Sequence, residues 1–158
     1  MSRRIVRFAA CLLLMAVSAA AAEILAAVGS YRRYLDEPAA LTCGLAAKFP
    51  VTRRLSIRPE FLIDNGRYYS NRLALGSVTG DFTDPEKTAV GYWVAGGGGV
   101  RTREESFAFN VWQWALLGGV GVRFAVGERW TAAAEFRTGM PAFPLVTFNI
   151  GYRWRKGK

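Results

Sequence analysis

The sequence predicts an all-β protein: an eight-stranded antiparallel up-and-down transmembrane β-barrel, preceded by a cleaved signal peptide. Three observations carry that expectation. The first is the stretch Asn110-Val-Trp-Gln-Trp-Ala-Leu-Leu-Gly-Gly-Val-Gly-Val-Arg-Phe-Ala125, which alternates with a period of two. Trp112, Trp114, Leu116, Gly118, Val120, Val122 and Phe124 share one face, opposite Gln113, Ala115, Leu117, Gly119, Gly121 and Arg123. The segment far exceeds the usual strand of about five or six residues, and rings lie near both ends of its apolar face. A bilayer-spanning strand needs that arrangement, because rings favour the headgroup level while aliphatic side chains face hydrocarbon. The second observation is an export signal at the start of the chain. The third is a series of eight alternating segments, separated by turn residues, with no helix signal among them.

Arg3, Arg4 and Arg7 form a basic start, Phe8 to Val17 is apolar, and Ser18 to Ala22 supplies small residues. That is a secretory leader over residues 1–22, with cleavage expected between Ala22 and Glu23. Its apolar core is short for a membrane-anchoring helix, which needs about 20 residues. Residues 23–158 then make one barrel domain. Cys11 falls inside the leader, outside any lipoprotein pattern, and its removal leaves Cys43 alone. A lone thiol forms no internal disulfide and no metal cluster, and the chain has no histidine. No cofactor and no metal site are expected. The net charge is +9, from 21 Lys and Arg against 12 Asp and Glu. These charges alternate with apolar residues along strands and form no patch, which with export argues against nucleic acid.

The eight segments follow in order. Ile24 to Tyr34 is closed by Asp36-Glu37-Pro38. Ala39 to Phe49 sets Leu41, Cys43, Leu45, Ala47 and Phe49 against Thr42, Gly44 and Lys48, and Pro50 turns the chain. Arg53 to Ile63 alternates Leu55, Ile57, Pro59, Phe61 and Ile63 with Arg54, Ser56, Arg58, Glu60 and Leu62. Asp64-Asn65-Gly66 is a tight hairpin signal. Arg67 to Val78 places Tyr69, Leu73 and Leu75 opposite Arg72, Ala74 and Gly76, before a polar loop from Gly80 to Glu86. Lys87 to Val100 carries Val90, Tyr92 and Val94 on one side and ends in Gly96 to Gly99. Arg101 to Ser106 reads as a charged loop before the long sixth strand. Val126-Gly127-Glu128 turns into Arg129 to Thr138, where Trp130, Ala132, Ala134 and Phe136 oppose Thr131, Ala133, Glu135 and Arg137. Leu145 to Trp154 alternates Val146, Phe148, Ile150, Tyr152 and Trp154 with Thr147, Asn149, Gly151 and Arg153.

A membrane strand takes about 9 to 11 residues, so eight fit the mature length with short connections, and eight is the smallest usual barrel. On the third, sixth, seventh and eighth strands the ionic residues lie opposite the aliphatics and rings. A soluble barrel that hides its apolar face inside satisfies that alternation too. Threading the strands up and down decides against it, because the rings then sort into two levels. One holds Phe49, Phe124, Trp130, Tyr152 and Trp154; the other holds Phe61, Tyr69, Trp112, Trp114 and Phe136. Two aromatic girdles belong to a membrane barrel. Lys48, Arg54, Arg58, Glu60, Arg72, Arg123, Glu135, Arg137 and Arg153 then point into the lumen. An ion-pair network of Arg58, Glu60, Arg123, Glu135, Arg137 and Arg153 is expected to fill it.

The segment Val146-Thr-Phe-Asn-Ile-Gly-Tyr-Arg-Trp154 resembles the closing strand of bacterial outer-membrane barrels. Gly118 to Trp130 and Arg54 to Phe61 are similar to strands of small OmpA/OmpX-type barrel domains, and the likeness of pattern spans the mature chain. In that family the assembly machinery recognises the closing strand. The resemblance therefore implies an assembly signal in Phe148, Ile150, Gly151, Tyr152 and Trp154, insertion in the outer membrane, and a periplasmic N-terminus. Here Arg155 to Lys158 follow the terminal aromatic, a departure from the family's usual ending.

Catalytic chemistry finds no footing in the sequence. Gly96 to Gly99 lacks the Lys-Ser/Thr and helix of a phosphate loop. Lipid-modifying barrels need a histidine base beside the serine, and this chain has none. Glu60 and Glu135 each lie two residues from an arginine, Arg58 and Arg137, which marks ion pairs and not a two-carboxylate hydrolase. Arg32, Arg33, Arg101 and Arg103 fall near the outer rim, where lipopolysaccharide phosphates would meet them. The expectation is a non-enzymatic, monomeric outer-membrane barrel with a structural or envelope-related role and a filled polar lumen. Its partners are outer-membrane lipid, lipopolysaccharide and the barrel-assembly machinery. The alternatives are a small pore or ligand carrier with anion preference and, third, a lipid-modifying enzyme.

Overall fold

A computed structural model describes residues 23–31, 40–65, 69–84, 87–104, 110–140 and 144–154. The expected leader, Arg32, Arg33, the Asp36 to Pro38 turn, Ser106 and residues 155–158 lie outside the described residues. Eight strands run in order: β1 (Glu23–Tyr31), β2 (Ala40–Pro50), β3 (Leu55–Asn65), β4 (Tyr69–Asp81), β5 (Ala89–Glu104), β6 (Asn110–Val126), β7 (Trp130–Met140) and β8 (Leu145–Arg153). Each pairs antiparallel with its neighbour in sequence, and β1 pairs with β8 to close the barrel. Closure gives every strand a paired neighbour on both sides, the condition a strand structure must meet in hydrocarbon. The end where β1 begins and β8 finishes, called the terminal end below, also carries the connections 51–54, 82–88 and 127–129. Gly127 makes the last of these turns at φ +73°, a conformation that L side chains rarely adopt.

Several strands outrun their expected bounds, β4 and β5 furthest. β4 continues to Asp81 and β5 to Glu104, where the sequence suggested loops from Gly80 and from Arg101. Arg101 pairs with Arg72 on one side and Trp112 on the other, and Thr102 with Asn71 and Val111. Backbone pairing on both flanks extends the strand, and outward arginines do not interrupt it. β2 and β3 are less regular: their bridges skip from Ala46↔Glu60 to Phe49↔Ile57. Pro59 sits in that gap, and a proline has no N–H for the ladder.

The outer face is apolar. Leu41, Leu45, Ile57, Phe61, Trp112, Trp114, Leu116, Val120, Phe124, Trp130, Phe136, Phe148 and Ile150 all project from it, with Trp114 87% exposed. At the terminal end Trp130, Tyr152 and Trp154 meet edge to face, with ring centroids 5.1 and 5.2 Å apart. This level matches the expected girdle. The opposite level is thinner than expected. Trp112 and Trp114 lie near the far end of β6, but Phe61 and Phe136 sit in the middle of their strands, and the Tyr69 side chain is outside the described residues.

The fourth strand corrects the expected facing. Leu73 and Leu75 point inward and are buried, while Arg72, Ala74 and Gly76 point outward. The register with β3 sets this, since Leu62↔Leu73 and Glu60↔Leu75 are direct partners. Cross-strand partners share a face, so the inward Glu60 and Leu62 carry the leucines in with them. Val90, Tyr92 and Val94 of β5 are likewise buried inside. Arg72 is therefore not a lumen residue. Nor is Arg54, which lies exposed in the 51–54 turn.

Candidate functional site

Among the described residues, the lumen is where charged groups gather away from solvent. Following each strand from the terminal end, its inward residues fall into successive layers. Glu23, Lys48, Ser56, Asp81, Arg123 and Arg153 come first. Arg58, Glu60, Ser77, Tyr92, Glu135 and Arg137 come next, all buried. Leu62, Leu73, Leu75, Val100, Ala115, Leu117 and Leu145 form an apolar layer beyond them. Asp64, Asn71 and Thr102 lie nearest the far end.

The second layer is a crossed pair of salt bridges between β3 and β7. Arg58 donates through Nη1 to Glu135 Oε2 at 2.8 Å and through Nη2 to Oε1 at 2.9 Å. Arg137 donates in the same two-pronged way to Glu60, at 2.6 and 2.8 Å. Its Nε also donates to Glu135, and Arg58 lies 3.7 Å from Glu60. Tyr92 Oη adds a hydrogen bond to Glu135 Oε2 at 2.8 Å, and Ser77 Oγ one to Glu60 Oε1 at 2.6 Å. A guanidinium fork matches a carboxylate in this geometry, and a buried pair needs that match to offset its desolvation. Both carboxylates are thereby committed as acceptors. Ser77 has a carboxylate partner already shared with Arg137, so Glu60 is not a free base for it.

Four of the six expected network residues thus meet: Arg58, Glu60, Glu135 and Arg137. They pair across the barrel more completely than along their own strands. Arg123 and Arg153 stand apart from them, in the first layer. Arg123 Nη2 lies 3.3 Å from Asp81 Oδ2, and Arg153 Nε lies 3.8 Å from Glu23 Oε2. The sequence reading missed Glu23, Asp81 and Tyr92. Asp81 fell in a supposed loop, and the alternation put Tyr92 with Val90 and Val94 on one side of its strand with no facing assigned. At the far end Asp64 accepts from Asn71 Nδ2 at 3.0 and 2.9 Å, and Thr102 donates to Asn71 Oδ1 at 2.6 Å.

On the closing strand, Phe148, Ile150 and Trp154 project outward and Tyr152 is half-buried among the rings. Arg129 donates to Tyr152 Oη at 3.1 Å. Gly151 faces inward, where a Cβ would come within 2.4 Å of both Glu23 Oε1 and Thr131 Oγ1. Only glycine lets these two groups meet across the closing seam, where Thr131 donates to Glu23. Outside the lumen, Arg72 and Arg101 face out as direct cross-strand partners beside Arg103, and Arg101 lies 5.9 Å from the centre of the Trp112 ring. Among the described residues, no group of three or more Cys, Asp or Glu could hold a metal ion.

No protein-family model matches the chain, and no curated protein sequence does. Solved structures do. The N-terminal β-barrel domain of OprF from Pseudomonas aeruginosa aligns with a TM-score of 0.68 at 12% identity, over 85% of this chain and 98% of that one. Neisserial surface protein A aligns with a TM-score of 0.63 at 14% identity, over 84% of this chain and 95% of that one. A de novo designed transmembrane β-barrel aligns at 0.54 and 14% identity, over 85% and 97%. At such identities the shared property is the fold: a closed eight-stranded antiparallel barrel of the OmpA/OmpX type, as found in bacterial outer-membrane proteins.

Proposed function

We propose that this chain is a non-enzymatic, monomeric protein of the bacterial outer membrane with a structural, envelope-related role and an occluded lumen. Residues 1–22 direct export and are removed, leaving residues 23–158 as the barrel. Phe148, Ile150, Gly151, Tyr152 and Trp154 serve as the signal for the assembly machinery. The apolar outer face meets lipid, and the outward Arg101 and Arg103 meet lipopolysaccharide phosphates at the rim.

One observation supports the occluded lumen above all. The buried salt bridges of Arg58, Glu60, Glu135 and Arg137 lie against an apolar layer built on Leu62, Leu73, Leu75 and Leu117. An ion crossing such a lumen would have to shed its water against leucine after displacing paired guanidinium groups, and each step is costly. A barrel of eight strands is just wide enough for side chains to fill. This layered arrangement carries more apolar side chains than the polar lumen that the sequence suggested. In planar lipid bilayers the protein should give no steady porin-like conductance, and any residual leak should favour anions. Large, sustained channel currents would overturn the occluded lumen and favour the small-pore alternative.

A further inference from the structure

The first layer of the lumen holds more positive charge than its own acids offset. At the terminal end the lumen opens into a cavity of about 160 Å³ lined by Glu23, Lys48, Arg53, Asp81, Arg123 and Arg153, with the hydroxyl-bearing Ser56 beside them. Three inward cations, Lys48, Arg123 and Arg153, therefore face two carboxylates, with the exposed Arg53 at the rim. The contacts between them are loose. Arg123 meets Asp81 through one nitrogen at 3.3 Å, and Arg153 approaches Glu23 only to 3.8 Å. Glu23 also accepts from Thr131 through its other oxygen. Lys48 makes no hydrogen bond or ion pair among the described residues, although its side chain points into this mouth. Deeper in, a smaller void shares Lys48 and Arg123 with Arg58 and Thr79, whose Nε and Oγ1 atoms also lack partners among the described residues.

We propose that this mouth is a binding site for a small soluble phosphate-type oxyanion, held by Lys48 with Arg123 and Arg153. Lys48, withdrawn from bulk water without an ion pair among the described residues, is unfavourably placed, and the two arginines beside it are only loosely paired. An oxyanion answers the whole set. The ammonium of Lys48 offers three donors, and each guanidinium offers a flat fork that matches two oxygens of one phosphate. The volume suits the ligand as well, since it equals about five waters at roughly 30 Å³ each. That is room for a phosphate and a small substituent. Chloride has the charge but not several oxygens to engage separate forks. Glu23 and Asp81 oppose an anion, yet each already lies against one of the arginines. Asp81 Oδ1 has no partner among the described residues, so a cation at the two acids is the rival arrangement, opposed by Lys48, Arg123 and Arg153. The source is a dissolved anion, because the cavity lies inside the barrel wall, away from the lipid-facing surface. This site is independent of the occluded lumen above it, which stands even if no anion binds.

The test is a titration of the detergent-folded protein with inorganic phosphate, followed by calorimetry and by the 31P resonance, at fixed ionic strength. Saturable binding is expected. Lys48→Met should weaken it about ten- to a hundredfold, the scale of hydrogen bonds to charged groups. Arg153→Gln, at a half-exposed position, should weaken it too, and guards against a Lys48 variant that fails to fold. Arg72→Gln on the outer face should leave binding unchanged. The proposal is overturned if phosphate does not saturate, if chloride binds equally well, or if Arg72→Gln weakens binding as much as the lumen variants. Calcium binding lost on Glu23→Gln, with no phosphate binding, would overturn it in favour of a cation site.

Discussion

Deletion of residues 145–158 is expected to abolish the folded species altogether. β8 pairs along its whole length with β1, from Tyr31↔Leu145 to Glu23↔Arg153, and with β7 from Arg137↔Leu145 to Trp130↔Tyr152. Its loss exposes two sheet edges at once. Within hydrocarbon each unsatisfied backbone group costs several kcal/mol, and two edges present many such groups. That sum exceeds the total stability of about 5–15 kcal/mol typical of a domain. The deletion also removes Gly151 and with it the seam where Glu23 meets Thr131. Removing only residues 155–158 leaves the β8 pairs named above in place and should be tolerated. Protease protection of membrane-inserted protein checks both: the short truncation should remain resistant and the long one should be degraded. A protease-resistant species from the long deletion would mean that β8 does not close the barrel.

The next largest effect is expected from Glu135→Ala, at about 3–5 kcal/mol of lost stability. Glu135 accepts from both Nη atoms of Arg58, from Arg137 and from Tyr92. Its removal leaves two buried guanidinium groups sharing Glu60 alone. Most of the penalty comes from that uncompensated charge and not from the lost pair itself. Replacing Arg58 and Glu135 together with methionine should therefore recover much of the loss, because it removes the charge and its partner at once. Arg153→Ala provides the contrast, since that side chain is 33% exposed and its ion pair is long. It should change stability by about 1 kcal/mol or less. Urea unfolding in lipid vesicles measures all three. Equal effects of Glu135→Ala and Arg153→Ala would show that the crossed bridges are not the buried network described here.

Strand positions were legible because alternation of period two is a local property, carried by each segment alone. Facing was legible wherever one face held both rings and aliphatics and the other held charge, as on β3, β6, β7 and β8. It failed on β4. There both faces carry modest side chains, and leucine against alanine and glycine misleads. A strand's alternation is unchanged when its two faces are exchanged, and only pairing with a neighbour of known facing resolves the choice. The two leucines turned inward by that pairing join Leu62 and Leu117, already on the charged face in the sequence, so the apolar layer is fuller than the alternation alone suggested.

The candidate network divides for a similar reason. Arg58 with Glu60, and Glu135 with Arg137, were visible as neighbours two residues apart on one face. Their stronger partnership, β3 to β7 across the barrel, depends on strand stagger, which no single segment records. Arg123 and Arg153 share the inward face but lie nearer the terminal end. Their partners, Asp81 and Glu23, sit at strand ends where turn signals obscured the alternation.

Gel migration with and without boiling distinguishes a closed barrel that crosses the outer membrane from a soluble sheet. Outer-membrane fractions should contain the protein, and in dodecyl sulfate without boiling it should run as a compact species, displaced from its position after boiling. That displacement is expected because a closed strand ladder with a buried ionic and apolar interior resists detergent until heated. A single band at the same position in both samples, or recovery only in the soluble fraction, would contradict it.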